Sequence, residues 1–193
     1  MVTKGEITRS QIVQAAYRLF LEKGYSATSM RDLVAASGIT MGGIYNHFAG
    51  KEQLFEAVFQ EYNPIHQVIP LIVQAEGESL EALVQDAARR MISGLGERSQ
   101  ALKLMFIEIV EFQGKHFEIS IESEFSQAML LAERFLHFQE QVRPLPLPTL
   151  VRSFSGLFFS YFMTSLIFPQ RFFSQDDLTN FVDIFLHGIL EQR

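Results

Sequence analysis

The 193-residue chain contains neither cysteine nor tryptophan. Without cysteine there are no disulfides, no thiolate metal ligands and no thiol nucleophile, a composition that suits a reducing cytosol. Proline is scarce, at 6, and half of it, Pro144, Pro146 and Pro148, is crowded into one stretch that predicts a stiff linker. No segment alternates apolar and polar residues as a strand would, and there is no phosphate loop or dinucleotide fingerprint. His66, His137 and His187 are scattered, and no Ser/His/Asp set can be picked out. The N-terminus, with Lys4, Glu6, Arg9, Arg18, Glu22 and Lys23, leaves no apolar signal-peptide core. The most apolar stretch, Gly156 to Phe168, is shorter than the ~18 residues of a membrane span. These absences predict a cytoplasmic protein that is not an enzyme and needs no cofactor.

What is present is apolar and unevenly charged. Apolar residues make up 48% of the chain and aromatic ones 12%, enough for a packed core. The formal net charge is −6, yet residues 1–51 carry six basic side chains (Lys4, Arg9, Arg18, Lys23, Arg31, Lys51) against Glu6, Glu22 and Asp32. That stretch is therefore +3 and the remainder −9. A basic head on an acidic body suits a protein that presents one end to phosphate and repels it elsewhere.

The apolar spacing is helical throughout, so the fold class is all-α. Ile12, Ala16, Leu19 and Phe20 form the stripe of a first helix over about Arg9 to Glu22, with Thr8 and Gln11 as its capping box and Gly24 as its end. A second helix, Met30 to Ala36, is introduced by Thr28-Ser29 and stopped at Gly38, a residue suited to the left-handed conformation. After the apolar Ile39, Thr40 caps a third run, Met41 to Phe48, with Ile44 and Phe48 on its inner face. Thr40, Met41, Gly42, Gly43, Tyr45, Asn46 and His47 are left to face outward or lie at the tip. Two helices joined by a Gly-containing turn form the helix-turn-helix, whose second helix enters the DNA major groove.

Lys51-Glu52 opens a further helix carrying Leu54, Phe55, Val58 and Phe59 inward, which Asn63-Pro64 is expected to end or kink before Pro70 disturbs the next segment. Helices are expected over Leu80 to Leu95, Ala101 to Phe112, about Glu118 to Gln141, Thr149 to Phe168 and Gln175 to Glu191, the last capped by Ser174. The stretch from Ala101 is apolar almost all round and is expected at the centre of a bundle. Its Glu108 and Glu111, with His116, are too loosely spaced to specify a metal, so they are expected to be solvated acids or acids at a pocket edge.

The order and spacing of Ile12, Ala16, Leu19-Phe20, Gly24-Tyr25, Thr28, Asp32-Leu33, Gly38-Ile39, Gly42, Ile44-Tyr45, His47-Phe48, Lys51-Glu52 and Leu54 closely resemble the TetR family of bacterial transcriptional regulators. The resemblance covers about the first third of the chain. It implies a homodimer with a three-helix DNA-binding head over residues 1–50 and a larger helical-bundle domain over 51–193 for effector binding and dimerisation. It implies that Thr40, Met41, Gly42 and Gly43 face the groove, and that Tyr45, His47, Lys51 and Thr28 lie near phosphates. Ser29 and Asn46 complete the expected DNA-facing set. Met41 stands where family members often carry lysine, and Gly43 where a small polar residue is frequent. Direct readout is then sparse, leaning on thymine methyls and DNA shape.

Nineteen phenylalanines, most of them after Leu102, fit an aromatic-lined cavity as well as an ordinary core. Met91, Phe106, Ile109, Met129, Phe154 and Phe158 are the expected lining for a small hydrophobic effector. Gly156 and Ser160, with the stripe Phe181, Val182, Phe185 and Ile189, are the expected dimer seam. The leading expectation is a repressor released from a two-fold symmetric operator by such an effector. A DNA-binding protein without an effector, architectural or constitutive, is the alternative, and an apolar-ligand carrier with a remnant head is the third.

Overall fold

The structure is a computed structural model that describes residues 3–117, 130, 134–135, 137–168 and 177–189. Among them there is no strand, and the helices follow in the order α1 Lys4–Lys23, α2 Met30–Ser37, α3 Met41–Tyr45, α4 Lys51–Tyr62, α5 Pro64–Val73, α6 Leu80–Glu97, α7 Leu102–Phe112, α8 Leu147–Ile167 and α9 Asp177–Ile189. Short 3-10 turns, Ser99–Ala101 and Gln139–Gln141, precede α7 and α8.

The first helix starts a turn earlier than the sequence suggests. Thr3 is the N-cap, its hydroxyl accepting from the Glu6 N–H while the Glu6 carboxylate accepts from the Thr3 N–H. The box Thr3-x-x-Glu6 therefore outranks Thr8, whose hydroxyl lies inside the helix and donates to the Lys4 carbonyl. The stops expected at Gly38 and Asn63-Pro64 hold. Ser29 and Asp32 cap α2 reciprocally, Gly38 ends it at φ 70°, and Asn63-Pro64 separates α4 from α5.

The described residues fall into two compact units. The first, 3–64 and 99–117, holds the helix-turn-helix, α4 and α7. Its core is Ile12, Ala16, Phe20, Leu33, Ile44 and Phe48 joined by Leu54, Phe55, Val58 and Phe59 of α4 and Leu104 of α7, so the packed unit extends past residue 50. The aromatic centre is a chain of ring contacts: Phe20 with Phe55 at 5.5 Å, Phe55 with Phe112 at 4.7 Å and Phe59 with Phe117 at 5.0 Å.

The placement of α7 is a correction to the sequence reading. Among the described residues it is not surrounded by other helices: Phe106, Ile109 and Val110 are exposed, Val110 by 76%. Its one polar inward residue is Glu108, expected to be a solvated or pocket-edge acid but fully buried and bonded to His116. The Glu108 carboxylate accepts the His116 backbone N–H and faces His116 Nδ1, both at 2.7 Å. A buried carboxylate persists only where its oxygens are satisfied, and both are.

The second unit, 65–98 with the described residues from 130 onward, is built on α5, α6, α8 and α9. α6 runs through Gly94, where a Cβ would lie 2.9 Å from Leu71 and 3.2 Å from Val68, so glycine there allows α5 to approach. Phe154, Phe158 and Phe162 of α8 and Val182, Phe185 and Ile189 of α9 form the core with Leu83, Val84 and Ala87 of α6. Arg143 caps the end of α9, donating to the Gly188 and Ile189 carbonyls. α8 is long and apolar enough, by length and composition alone, to cross a membrane, and few of its residues are buried within the chain.

Candidate nucleic-acid interface

The recognition helix α3 is short because Gly42 and Gly43 are weak helix formers and Asn46 ends it. What holds it is local. The Thr40 hydroxyl accepts the Gly43 N–H at 3.2 Å, and Ile44 and Phe48 are buried in the head core. This anchoring leaves Thr40, Gly42 and Asn46 exposed, Tyr45 half exposed at 50%, and Met41, Gly43 and His47 partly covered. The His47 ring lies 6.5 Å from that of Phe48.

The two glycines differ. Around Gly42 a Cβ would meet nothing, so its backbone faces open space. At Gly43 a Cβ would lie 2.8 Å from Ile39 Cγ2 and 3.2 Å from the Thr40 hydroxyl, so this glycine is needed by the head itself.

Arg9, to which no sequence pattern pointed, places its guanidinium 5.2 Å from the Phe48 ring centroid, beside the end of the recognition segment. The contact joins residues far apart in sequence, so periodicity could not reveal it. Exposed Arg31 lies on α2. Lys23 is instead engaged by Asp32 at 3.0 Å. The Ser29 hydrogen bonds, followed by that lysine, hold the Asp32 carboxyl well below the usual carboxylate range.

Two expected phosphate contacts are turned inward. Thr28 is buried, and its hydroxyl donates to the Gly24 carbonyl at 2.7 Å, closing the turn after α1. Lys51 directs its ammonium to the carbonyls of Tyr25 and Thr28, both at 2.8 Å, and lies 4.2 Å from the Tyr25 ring centroid. Ser29 is exposed, with its side chain engaged in capping α2.

The second unit holds an apolar cavity of about 110 Å³. Its walls include Ile69, Ile72 and Val73 of α5, Leu147, Leu150 and Phe154 of α8, and Phe185 of α9. Of the described residues in the expected lining, only Phe154 is there. Phe158 is sealed in the core beside Phe154 and Phe185, and Met91 is buried away from the cavity. Phe106 and Ile109 sit exposed on α7 in the first unit, and Met129 lies outside the described residues. The α5 wall was missed because Pro64 and Pro70 suggested broken structure, whereas Pro64 opens the helix and Pro70 is carried within it.

The expected dimer seam divides in the same way. Gly156 and Ser160 are exposed on α8, but Val182, Phe185 and Ile189 point into the core and Phe181 packs on Tyr161 at 5.0 Å. The i, i+4 stripe marked the inward face of α9, and the outward face carries Ile184, 59% exposed.

The first unit thus presents a helix-turn-helix with an exposed second helix, and the second unit holds an apolar cavity. The sequence model for bacterial regulatory proteins of the tetR family matches residues 12–58. The chain is 34% identical over 71 residues to the HTH-type transcriptional regulator TtgR of Pseudomonas putida, covering 37% of this chain and 34% of that protein. It is 23% identical over 192 residues to the uncharacterized HTH-type transcriptional regulator YfiR of Bacillus subtilis, covering 95% and 92% of the two. Among solved structures, NalD of Pseudomonas aeruginosa, the secondary repressor of the MexAB-OprM multidrug efflux pump, matches with a TM-score of 0.67 over 98% of this chain and 100% of that one, at 22% identity. A TetR family transcription regulator from Marinobacter aquaeolei VT8 gives a TM-score of 0.67 over 96% of both chains at 18% identity. Over residues 12–58 the chain is similar to the TetR family of bacterial regulatory proteins. The alignment to TtgR spans about a third of that relative's length, and the full-length structural likeness is one of fold.

Proposed function

We propose that this protein is a DNA-binding transcriptional repressor acting as a homodimer in the cytoplasm. The exposed face of α3, held on a buried anchor of Ile44 and Phe48, is the observation that carries this reading. Thr40, Met41, Gly42, Tyr45 and Asn46 approach base edges and the backbone in the major groove, with His47 at its margin. Arg9 and Arg31 supply charge for phosphates. Between Thr40 and His47 there is no arginine or lysine, so the bidentate guanine contact typical of major-groove readers is absent from this helix. Met41 then favours thymine methyls, and A·T-rich half-sites fit best. Two copies related by a two-fold axis read an inverted repeat.

The outward faces of α8 and α9, with Val151, Gly156, Ser160 and Ile184, form the dimer contact in this reading. It is supported by an apolar α8 that the chain itself leaves largely uncovered. The cavity beside α5, α8 and α9 takes a small hydrophobic effector. At about 110 Å³ it is somewhat smaller than a cavity of roughly 150 Å³ that binds benzene, so a small apolar molecule fits with a modest adjustment of the walls. Occupancy favours a head arrangement that no longer fits the operator, and coupling is reciprocal, so DNA weakens the effector by the same factor. The test is retention of a selected duplex, with and without candidate apolar compounds. Specific retention with no compound that releases it leaves a regulator without an effector. No specific retention defeats the reading.

A further inference from the structure

We propose that the cavity of the second unit selects a small uncharged molecule, an apolar body bearing one hydrogen-bonding group, and that the Ser155 hydroxyl binds that group. The inference deepens the effector reading above and rests on it for any regulatory consequence. It names the class of ligand and the residue that selects it.

The apolar body follows from the walls. Phe154 and Phe185 are both buried, with their rings 5.7 Å apart, and Ile69, Ile72 and Leu150 add branched aliphatic surface. Charge is excluded by what is not there to pair with it. Among the described residues of the wall none is ionisable, and Ser155 is the one with a polar side chain. The two arginines adjacent to wall residues are placed elsewhere. Arg134, beside Phe135, donates to the Ala75 carbonyl, and Arg152 lines a separate depression with Pro148, Thr149 and Ser153. A carboxylate or ammonium entering the cavity would lose its water without gaining a counter-ion, which costs far more than burying an apolar group.

The single hydrogen bond follows from Ser155. Further along α8, Thr164 and Ser165 turn their hydroxyls back onto the helix, donating to the Ser160 carbonyl at 2.8 Å and the Tyr161 carbonyl at 2.7 Å. The Ser155 hydroxyl makes no such bond and has no other partner among the described residues. Its side chain is exposed at the rim of the cavity, while Phe154 beside it is buried. A hydroxyl both donates and accepts, so it can pair with an alcohol, a phenol or a carbonyl. With one such group in the wall, a second polar group on the ligand would be buried without a partner.

The experiment titrates the full chain and its Ser155→Ala variant by calorimetry with four probes of one ring: toluene, benzyl alcohol, benzoate and benzylammonium. The wild type should bind benzyl alcohol about ten-fold or more tighter than either ion. Ser155→Ala should weaken benzyl alcohol by about three- to ten-fold, the worth of one hydrogen bond, and leave toluene within about two-fold. The unchanged toluene affinity also shows that the variant keeps its cavity. An ion bound as tightly as the alcohol overturns the proposal. So does a Ser155→Ala variant that weakens both neutral probes alike or neither, and so does binding of no probe at all. Release of a selected duplex is measured with the same probes. Benzyl alcohol that binds with the expected selectivity yet releases no DNA upholds the ligand class and defeats the effector reading.

Discussion

Replacing Gly42 and Gly43 one at a time by alanine probes both the packing and the use of the recognition helix. Alanine is a better helix former than glycine by about 0.8–1.0 kcal/mol in a helix interior, with less to gain in a five-residue helix. At Gly42, where a methyl group meets nothing, Gly42→Ala should leave the head as stable or stabilise it by up to about 1 kcal/mol. At Gly43 the new Cβ arrives 2.8 Å from Ile39 Cγ2 and 3.2 Å from the hydroxyl that caps the helix. Ile39 is β-branched and stiff at χ1, so the backbone or the cap must give, at the roughly 1–3 kcal/mol typical of overpacking. Set against the same propensity gain, Gly43→Ala should be destabilised by about 0–2 kcal/mol, leaving the two variants about 1–3 kcal/mol apart. Urea unfolding followed by circular dichroism measures the gap. DNA binding should rank them differently: the stable Gly42→Ala should lose at least ten-fold in specific affinity, because its methyl stands where the backbone approaches the groove. Equal stabilities would refute the packing argument. Undiminished affinity in Gly42→Ala would refute the close approach.

Three further outcomes are expected. Glu108→Ala leaves the His116 ring and backbone N–H buried without their partner and should cost about 3–5 kcal/mol in urea unfolding, a loss below 1 kcal/mol showing that the pair is easily replaced. Ser155→Phe fills the cavity beside Phe154 and should abolish release of DNA by any apolar effector while leaving the operator affinity within about three-fold, so an effector that still releases the variant binds elsewhere. Ile184→Glu on the outward face of α9 should yield monomers by sedimentation at micromolar concentration, and a persisting dimer would move the interface off that face.

How far the sequence could be read depended on whether a signal was local. The helix-turn-helix was legible because each of its parts is a short-range device: a cap three residues from its partner at Ser29–Asp32, a left-handed stop at Gly38, and an i, i+4 anchor at Ile44 and Phe48. The start of α1 was misplaced for the same kind of reason, since two capping boxes compete near the N-terminus and the one that closes is Thr3–Glu6. Periodicity also reports an apolar face without saying what covers it. Phe181, Val182, Phe185 and Ile189 were correctly seen as one stripe but face this chain's own core. An all-round apolar α7 read as a bundle centre, yet it packs on the head and leaves Phe106, Ile109 and Val110 outside. Lys51, Arg9 and the Glu108–His116 pair depend on contacts between distant segments or on burial that no spacing encodes.

The central claim is that two copies of this chain read a two-fold symmetric DNA site through α3. Selection of duplexes from a random pool by the full chain, followed by footprinting of the enriched sequence, tests it most directly. The account predicts an A·T-rich inverted repeat, with protection of two major-groove half-sites that disappears when Tyr45 and Asn46 are both replaced by alanine. Enrichment of no sequence, or a footprint that survives that double replacement, would contradict it.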